Sequence, residues 1–259
     1  HGLVYDGEKN PYYAMRLIRG DSLDAAIARF HRDHPLGKSG PHYSTDLQSL
    51  LRSFLAVCQT LAYAHSQGFV HRDLKPENVM VGRFGETIVV DWGLANRFAG
   101  GTDGVKLDAT AAALPEQESA LDRQIAALDV SVVGKRKGSL AYSSPEQAAG
   151  KWSEVGPRSD IYSLGATLYK LLTSQLPFTD PKRALEQIAA GEFLRPREVR
   201  SDIPFGLEAI CLKAMALRPE DRYETALELA AEIERWLADE PVLAAPEPWS
   251  MQTQRWICL

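Results

Sequence analysis

His71-Arg72-Asp73-Leu74-Lys75-Pro76-Glu77-Asn78 is the stretch on which the reading of this chain turns. It sets a carboxylate, an ammonium and an amide at short fixed offsets, with Lys75 two positions and Asn78 five positions after Asp73. Few chemistries other than phosphoryl transfer from a nucleotide ask for that set. An aspartate so placed can accept the proton of an attacking hydroxyl, and a nearby lysine can neutralise charge on the phosphoryl group in transit. The amide oxygen can ligate a metal ion. In the run Val89-Val90-Asp91-Trp92-Gly93 a second acidic residue, Asp91, stands thirteen positions after Asn78, with a glycine two residues beyond it. That pattern suits a β-strand delivering a Mg²⁺ ligand to the same place.

A single His-Arg-Asp triplet reads equally well as an ordinary polar loop. Further matches follow in order, however: Gly138-Ser139-Leu140-Ala141-Tyr142-Ser143-Ser144-Pro145-Glu146-Gln147, Ser159-Asp160-Ile161-Tyr162-Ser163-Leu164-Gly165, Leu176-Pro177-Phe178 and Arg218-Pro219-Glu220-Asp221-Arg222-Tyr223. In these residues the chain resembles the eukaryotic-type protein kinases, bacterial serine/threonine branch, from about residue 10 to about residue 240.

That resemblance implies an α+β, kinase-like fold, with a predominantly helical large lobe and only a remnant of the β-rich small lobe. Residues 1–18 would be that remnant and the hinge, 19–240 the large lobe with an activation segment over 91–146, and 241–259 a linker. Asp73 and Lys75 are the implied catalytic residues, and Asn78 and Asp91 the implied Mg²⁺ ligands. Lys75, Asn78 and Asp91 would also contact ATP. At the hinge, Met15 would guard the back of the adenine pocket, with the backbone of Arg16, Leu17 and Ile18 facing the base. Arg222 is expected to pair with Glu146, and Asp160 to tie the catalytic loop through backbone N–H groups. Lys75 followed by Pro-Glu-Asn, with Ser139 at the family's threonine position, is the serine/threonine style of the motif. Proteins bearing Ser or Thr hydroxyls are then the implied substrates. Trp92 stands where the family more often has phenylalanine, so a larger ring must fit and its N–H must find a partner.

The 259 residues contain no glycine-rich phosphate loop, no Val-Ala-Ile-Lys strand and no helix supplying the glutamate partner of that lysine. The resemblance therefore implies a chain truncated at its N-terminus, weak or inactive by itself although cut from an active kinase. Two other readings compete with this one: a pseudokinase or scaffold that only binds partners, and a small-molecule phosphotransferase on a related fold. Intact Asp73, Lys75, Asn78 and Asp91 oppose the first, and the Ser-Ser-Pro-Glu and Arg-Pro-Glu-Asp-Arg-Tyr elements oppose the second.

A hydrophobic content of 45% supports a sizeable core, and the net charge of −5 argues against a nucleic-acid surface or a polybasic anchor. Cys58, Cys211 and Cys258 are far apart and without nearby histidines, so neither a disulfide framework nor a zinc site is indicated. No run of about 18 apolar residues occurs, which excludes a spanning helix within these residues. A reducing cytoplasm is the simplest location, with a tether outside the chain left open.

Apolar residues recur at three- and four-residue spacing from Asp46 to Gly68 (Leu47, Leu50, Leu51, Phe54, Val57, Cys58, Leu61), which predicts a buried amphipathic helix ended by Gly68. Cys58 falls on its apolar face as a core residue. A helix start is expected at Asp21 or Ser22, further helices over 160–173, 181–190, 205–217 and 225–239, and an insert helix over 117–128. Asp91 and Glu146 are 55 positions apart, longer than the family's usual activation segment. Within it Ser131 is the favoured phosphorylation site, with Thr102, Thr110 and Ser119 as weaker candidates, and Arg72 reads either as a salt-bridge residue or as the guanidinium that receives the phosphate. Lys135-Arg136-Lys137 reads as a phosphate-pairing patch or, more simply, as a solvated basic run.

Overall fold

The computed structural model describes residues 20–36, 44–98, 140–180 and 182–245, together with the backbone of 2–5, 11–14 and 43. The hinge residues Met15, Arg16, Leu17 and Ile18, the insert helix, Ser131, Ser139 and the basic trio lie outside the described residues.

Helices carry the architecture. Strands β1 (Gly2–Tyr5) and β2 (Pro11–Ala14) pair antiparallel with Leu3 opposite Tyr13. Helix α1 (Leu23–Asp33) begins where Ser22, extended at φ −69° and ψ 153°, accepts a hydrogen bond from the Ala25 N–H. Capping of this kind satisfies a donor that the first turn otherwise leaves open. Helix α2 (Tyr43–Ser66) buries Leu47, Leu51, Phe54, Val57, Cys58 and Leu61 along one face, as the spacing predicts. Gly68, at φ +81°, turns the chain out of the helix in a conformation that a Cβ would oppose. Burial also pushes the Cys58 thiol well up, in keeping with a core residue rather than a nucleophile.

Two small antiparallel units accompany these helices. Asp21–Ser22 (β3), Val79–Val81 (β5) and Thr87–Val89 (β6) form a three-stranded sheet in the order β3-β5-β6. Phe69–Val70 (β4) pairs with Asn96–Arg97 (β7). The sheet residues are few, and the strands are short enough to act as struts that hold loops.

Beyond residue 140 the chain is again helical: α3 (Pro145–Ala148), α4 (Pro157–Thr173), α5 (Ala184–Ala190), α6 (Pro196–Val199), α7 (Phe205–Ala214) and α8 (Ala226–Leu237). α4 is buried almost all round, the signature of a helix at the centre of a core. It packs on α7, while α2 packs on α8. Gly165 is what lets α4 and α7 approach, because a Cβ there would lie 2.7 Å from Met215 Cγ and 2.9 Å from Ala214 Cβ.

The short helices α3 and α6 were not foreseen, because each is a single turn set by a proline at its first position rather than by apolar periodicity. The expected linker differs over its first five residues. Val242 and Ala245 are buried in the main core, and the buried Glu232 carboxylate of α8 accepts the N–H groups of Leu243 and Ala244 at 3.1 and 3.0 Å. Residues 246–259 lie outside the described residues. Among the described residues no helix is long and apolar enough to cross a membrane.

Candidate active site

β4 delivers the chain into the loop 71–75, a 3₁₀ turn over Pro76–Asn78 follows, and β5 leads away from it. β6 returns antiparallel, Val79 facing Val89, and the Val90 N–H donates to the Asn78 carbonyl at 2.9 Å. This hairpin register brings Asn78 and Asp91 to the same end of the strands. Two residues widely separated in the motif reading thus become neighbours through a backbone ladder.

Asp73 is the hub of the loop. Lys75 Nζ donates to its Oδ2 at 3.1 Å, and Asn78 Nδ2 donates to its backbone carbonyl at 2.8 Å. Both side chains of the Asp73–Lys75 pair are only slightly exposed, at 10% and 20%. A charge-assisted contact in such a setting holds both groups in place while leaving an edge of each open to a ligand. Because the amino end of the Asn78 amide is engaged with Asp73, its oxygen is the end suited to a hard cation. With the Asp91 carboxylate it makes two oxygen donors, a set that fits Mg²⁺ completed by phosphate oxygens and water. No cluster of three or more His, Cys, Asp or Glu suited to a metal is found among the described residues.

The loop is held in an unfavourable backbone conformation from two sides. Arg72 and Asp91 both have positive φ, +67° and +62°, which costs a non-glycine residue on the order of 1–3 kcal/mol. For Arg72 the restraint is visible: its N–H donates to Asp160 Oδ1 at 2.9 Å, and its carbonyl accepts from Gln147 Nε2 at 2.8 Å. Asp160 is fully buried at the start of α4. Its other oxygen accepts the His71 N–H at 2.8 Å and His65 Nε2–H at 2.9 Å. Three donors satisfy a carboxylate that burial would otherwise make very costly. The sequence expectation that Asp160 ties the loop is met, and His65 joins it as a further donor.

His71 is fully buried and packs against Trp92, with ring centroids 4.6 Å apart and planes inclined at 58°. Its Nε2 faces the Val90 carbonyl at 3.2 Å, and the Asp73 N–H donates to its Nδ1 at 3.3 Å. The indole N–H of Trp92 finds its partner in the Val89 carbonyl at 3.1 Å. The larger ring is therefore accommodated over the loop, and the segment after Asp91 is anchored again where β7 pairs with β4.

On the other flank, Ser144 and Gln147 form a reciprocal cap at the start of α3, and Glu146 of that helix meets Arg222. Burial alone would raise the Glu146 carboxyl. The Arg222 hydrogen bonds and charge, with a hydrogen bond from Ser159, outweigh it and hold the group below the usual carboxylate range. The expected pairing is present, and it is more extensive than a two-residue contact: Arg222 also donates to the carbonyls of Arg158, Ala216 and Leu217.

Sequence reasoning missed the roles of Gln147 and His65. Neither lies within the loop's own motif, and each acts on a backbone group or carboxylate remote in sequence.

Comparison with known proteins identifies the family. The family described as "Protein kinase domain" matches residues 4–231. The chain is similar to "Serine/threonine-protein kinase PknD" of Protochlamydia amoebophila (strain UWE25), 34% identical over 233 residues that cover 87% of this chain and 22% of that protein. It is similar to the protein of the same name from Chlamydia trachomatis serovar L2b, 33% identical over 246 residues, 93% of this chain and 25% of the relative. That from Chlamydia pneumoniae is 31% identical over 242 residues, 90% and 24% respectively. The chain thus spans about a quarter of the length of the curated relatives it matches.

Proposed function

Because the chain belongs to the protein kinase domain family, on its bacterial serine/threonine branch, we propose that it forms the large-lobe part of a catalytic domain that transfers the γ-phosphoryl group of ATP to Ser or Thr hydroxyls of proteins. The observation that carries this reading is the Asp73–Lys75–Asn78 arrangement, held by Asp160 and joined by hairpin register to Asp91.

In this reading Asp73 orients the acceptor hydroxyl and takes its proton, and Lys75, 3.1 Å away, lies where it can balance charge on the phosphoryl oxygens. Asn78 and Asp91 would hold Mg²⁺, which neutralises the nucleotide phosphates when bound. Positioning and electrostatics dominate such a reaction, which is why so many of the surrounding contacts restrain backbone rather than side chains. The hinge assignment of Met15, Arg16, Leu17 and Ile18 to adenine remains part of the proposal on the resemblance alone.

The test is phosphate transfer from labelled ATP to Ser- and Thr-containing peptides by the natural gene product and its Asp73→Asn variant. The variant is expected to lose about 10²- to 10⁴-fold in kcat, with an unchanged circular dichroism melt. Transfer that survives this substitution, or that goes to tyrosine, would overturn the reading. The chain alone, whose 259 residues lack a glycine-rich loop and its lysine strand, is expected to bind ATP·Mg²⁺ weakly and turn over little. Intact transfer by this chain would remove that part of the proposal, while peptide binding without any transfer by the natural gene product would favour a scaffold.

A further inference from the structure

Beside the loop lies a second polar constellation that the transfer chemistry leaves unused. Glu77 sits in the 3₁₀ turn four residues after Asp73 with its side chain 45% exposed, and Asp24 sits in the first turn of α1, 33% exposed. Lys170, from the last turn of α4, is ion-paired with Asp24 and stands 4.0 Å from Glu77 Oε1, with 18% of its own side chain exposed. Tyr142 completes the group from the segment before α3. It is 2% exposed, and its hydroxyl has no hydrogen-bond partner among the described residues. After burial itself, the charges that push its phenol upward are those of Glu77 and Asp24, so the hydroxyl lies within their field.

Two carboxylates and one ammonium leave a single net negative charge at the rim of the proposed active site. An acceptor segment in extended form rises about 3.3 Å per residue. With its hydroxyl at Asp73, an acceptor segment that follows the 3₁₀ turn would bring side chains within a few positions of the acceptor past Glu77, four residues further along the loop. A bare pair of carboxylates there would select a lysine or arginine, through charge-assisted hydrogen bonds. With Lys170 paired to Asp24 and its ammonium 4.0 Å from Glu77, an incoming cation meets a like charge beside the one carboxylate still open to it, which is discrimination by an unfavourable contact.

We infer that Lys170 is a specificity-determining residue, which occupies the Asp24–Glu77 carboxylate pair from within and so withholds preference from acceptor segments with a basic residue beside the phosphorylated hydroxyl. The inference rests on the reading of the chain as a serine/threonine kinase domain.

The experiment uses the natural gene product and a peptide set in which arginine or alanine is placed at each of the four positions on either side of one acceptor serine. The unsubstituted protein is expected to favour no arginine position. Lys170→Met should raise kcat/KM for arginine-bearing peptides by about tenfold or more over the alanine reference, with the reference rate unchanged. Lys170→Arg should behave as the original, and Lys170→Met combined with Glu77→Gln should lose the new preference. A clear arginine preference in the unsubstituted protein overturns the inference and needs no variant to fold. Unchanged selectivity in Lys170→Met, with reference transfer intact, also overturns it. Absence of transfer to any peptide by the unsubstituted protein would instead sink the kinase reading and this inference with it.

Discussion

Arg222 and Glu146, 76 positions apart, form a two-pronged ion pair, Nη1 to Oε1 at 2.8 Å and Nη2 to Oε2 at 3.0 Å, with side chains 0% and 4% exposed. The guanidinium also lies 5.0 Å from the Tyr162 ring centroid. Removing one partner of such a pair leaves a buried charge unmatched, which costs on the order of 3–5 kcal/mol. Urea denaturation of Arg222→Ala should show a loss of that size. A midpoint within error of the original protein would mean that solvent reaches the pair.

Asp160 offers a local test of how the catalytic loop is held. Asp160→Ala orphans the N–H groups of His71 and Arg72, each at about 1–3 kcal/mol when buried. Amide hydrogen exchange should speed up at these two residues well before the α2 core is affected. Exchange that accelerates equally along α2 would point instead to global loosening.

Gly165 governs the approach of α4 to α7. Gly165→Ala places a methyl within 2.9 Å of Ala214 Cβ, and overpacking of this kind costs typically about 1–3 kcal/mol. A thermal melt should drop accordingly, and Ala214→Gly in the same chain should recover part of the loss. No recovery would locate the strain elsewhere.

His31 should make stability depend on pH. Arg200 Nη1 donates to its Nδ1 at 2.6 Å, so the ring is neutral with its proton on Nε2, which donates to the Leu171 carbonyl at 2.8 Å. Burial first, and the Arg200 charge with it, hold its pKa below the ordinary 6.5 despite the opposing Leu171 hydrogen bond and Asp202 charge. The unfolded chain therefore takes up this proton at a higher pH than the folded one, so the stabilising contribution is complete above pH 6.5 and is lost as pH falls through the folded value. Urea midpoints between pH 8 and pH 5 should fall more steeply for the original protein than for His31→Gln. Parallel slopes would show that other groups set the acid limb.

Several elements were legible because their signal is local. The α2 face from Leu47 to Leu61 repeats at helical spacing, Ser22 caps the helix that follows it, and Gly68 ends α2 with a positive φ. The single-turn helices α3 and α6 escaped because four residues carry no period. The docking of residues 241–245 escaped because an Ala- and Pro-rich stretch reads as a linker until Glu232 is known to accept its N–H groups.

The loop from His71 to Asn78 could be recognised from residue types and offsets, since side chains a few positions apart in one turn have little freedom to separate. The Arg222–Glu146 pair was anticipated through resemblance, and its burial and further carbonyl partners emerged only with the fold. Sequence alone could not reach the three-way contact of Asp24, Lys170 and Glu77, in which α1, α4 and the catalytic turn converge. Local propensity determines which helices and turns form. Which charges then meet is decided when α4 is buried among its neighbours, because only that packing brings residues 146 positions apart within reach of one ammonium group.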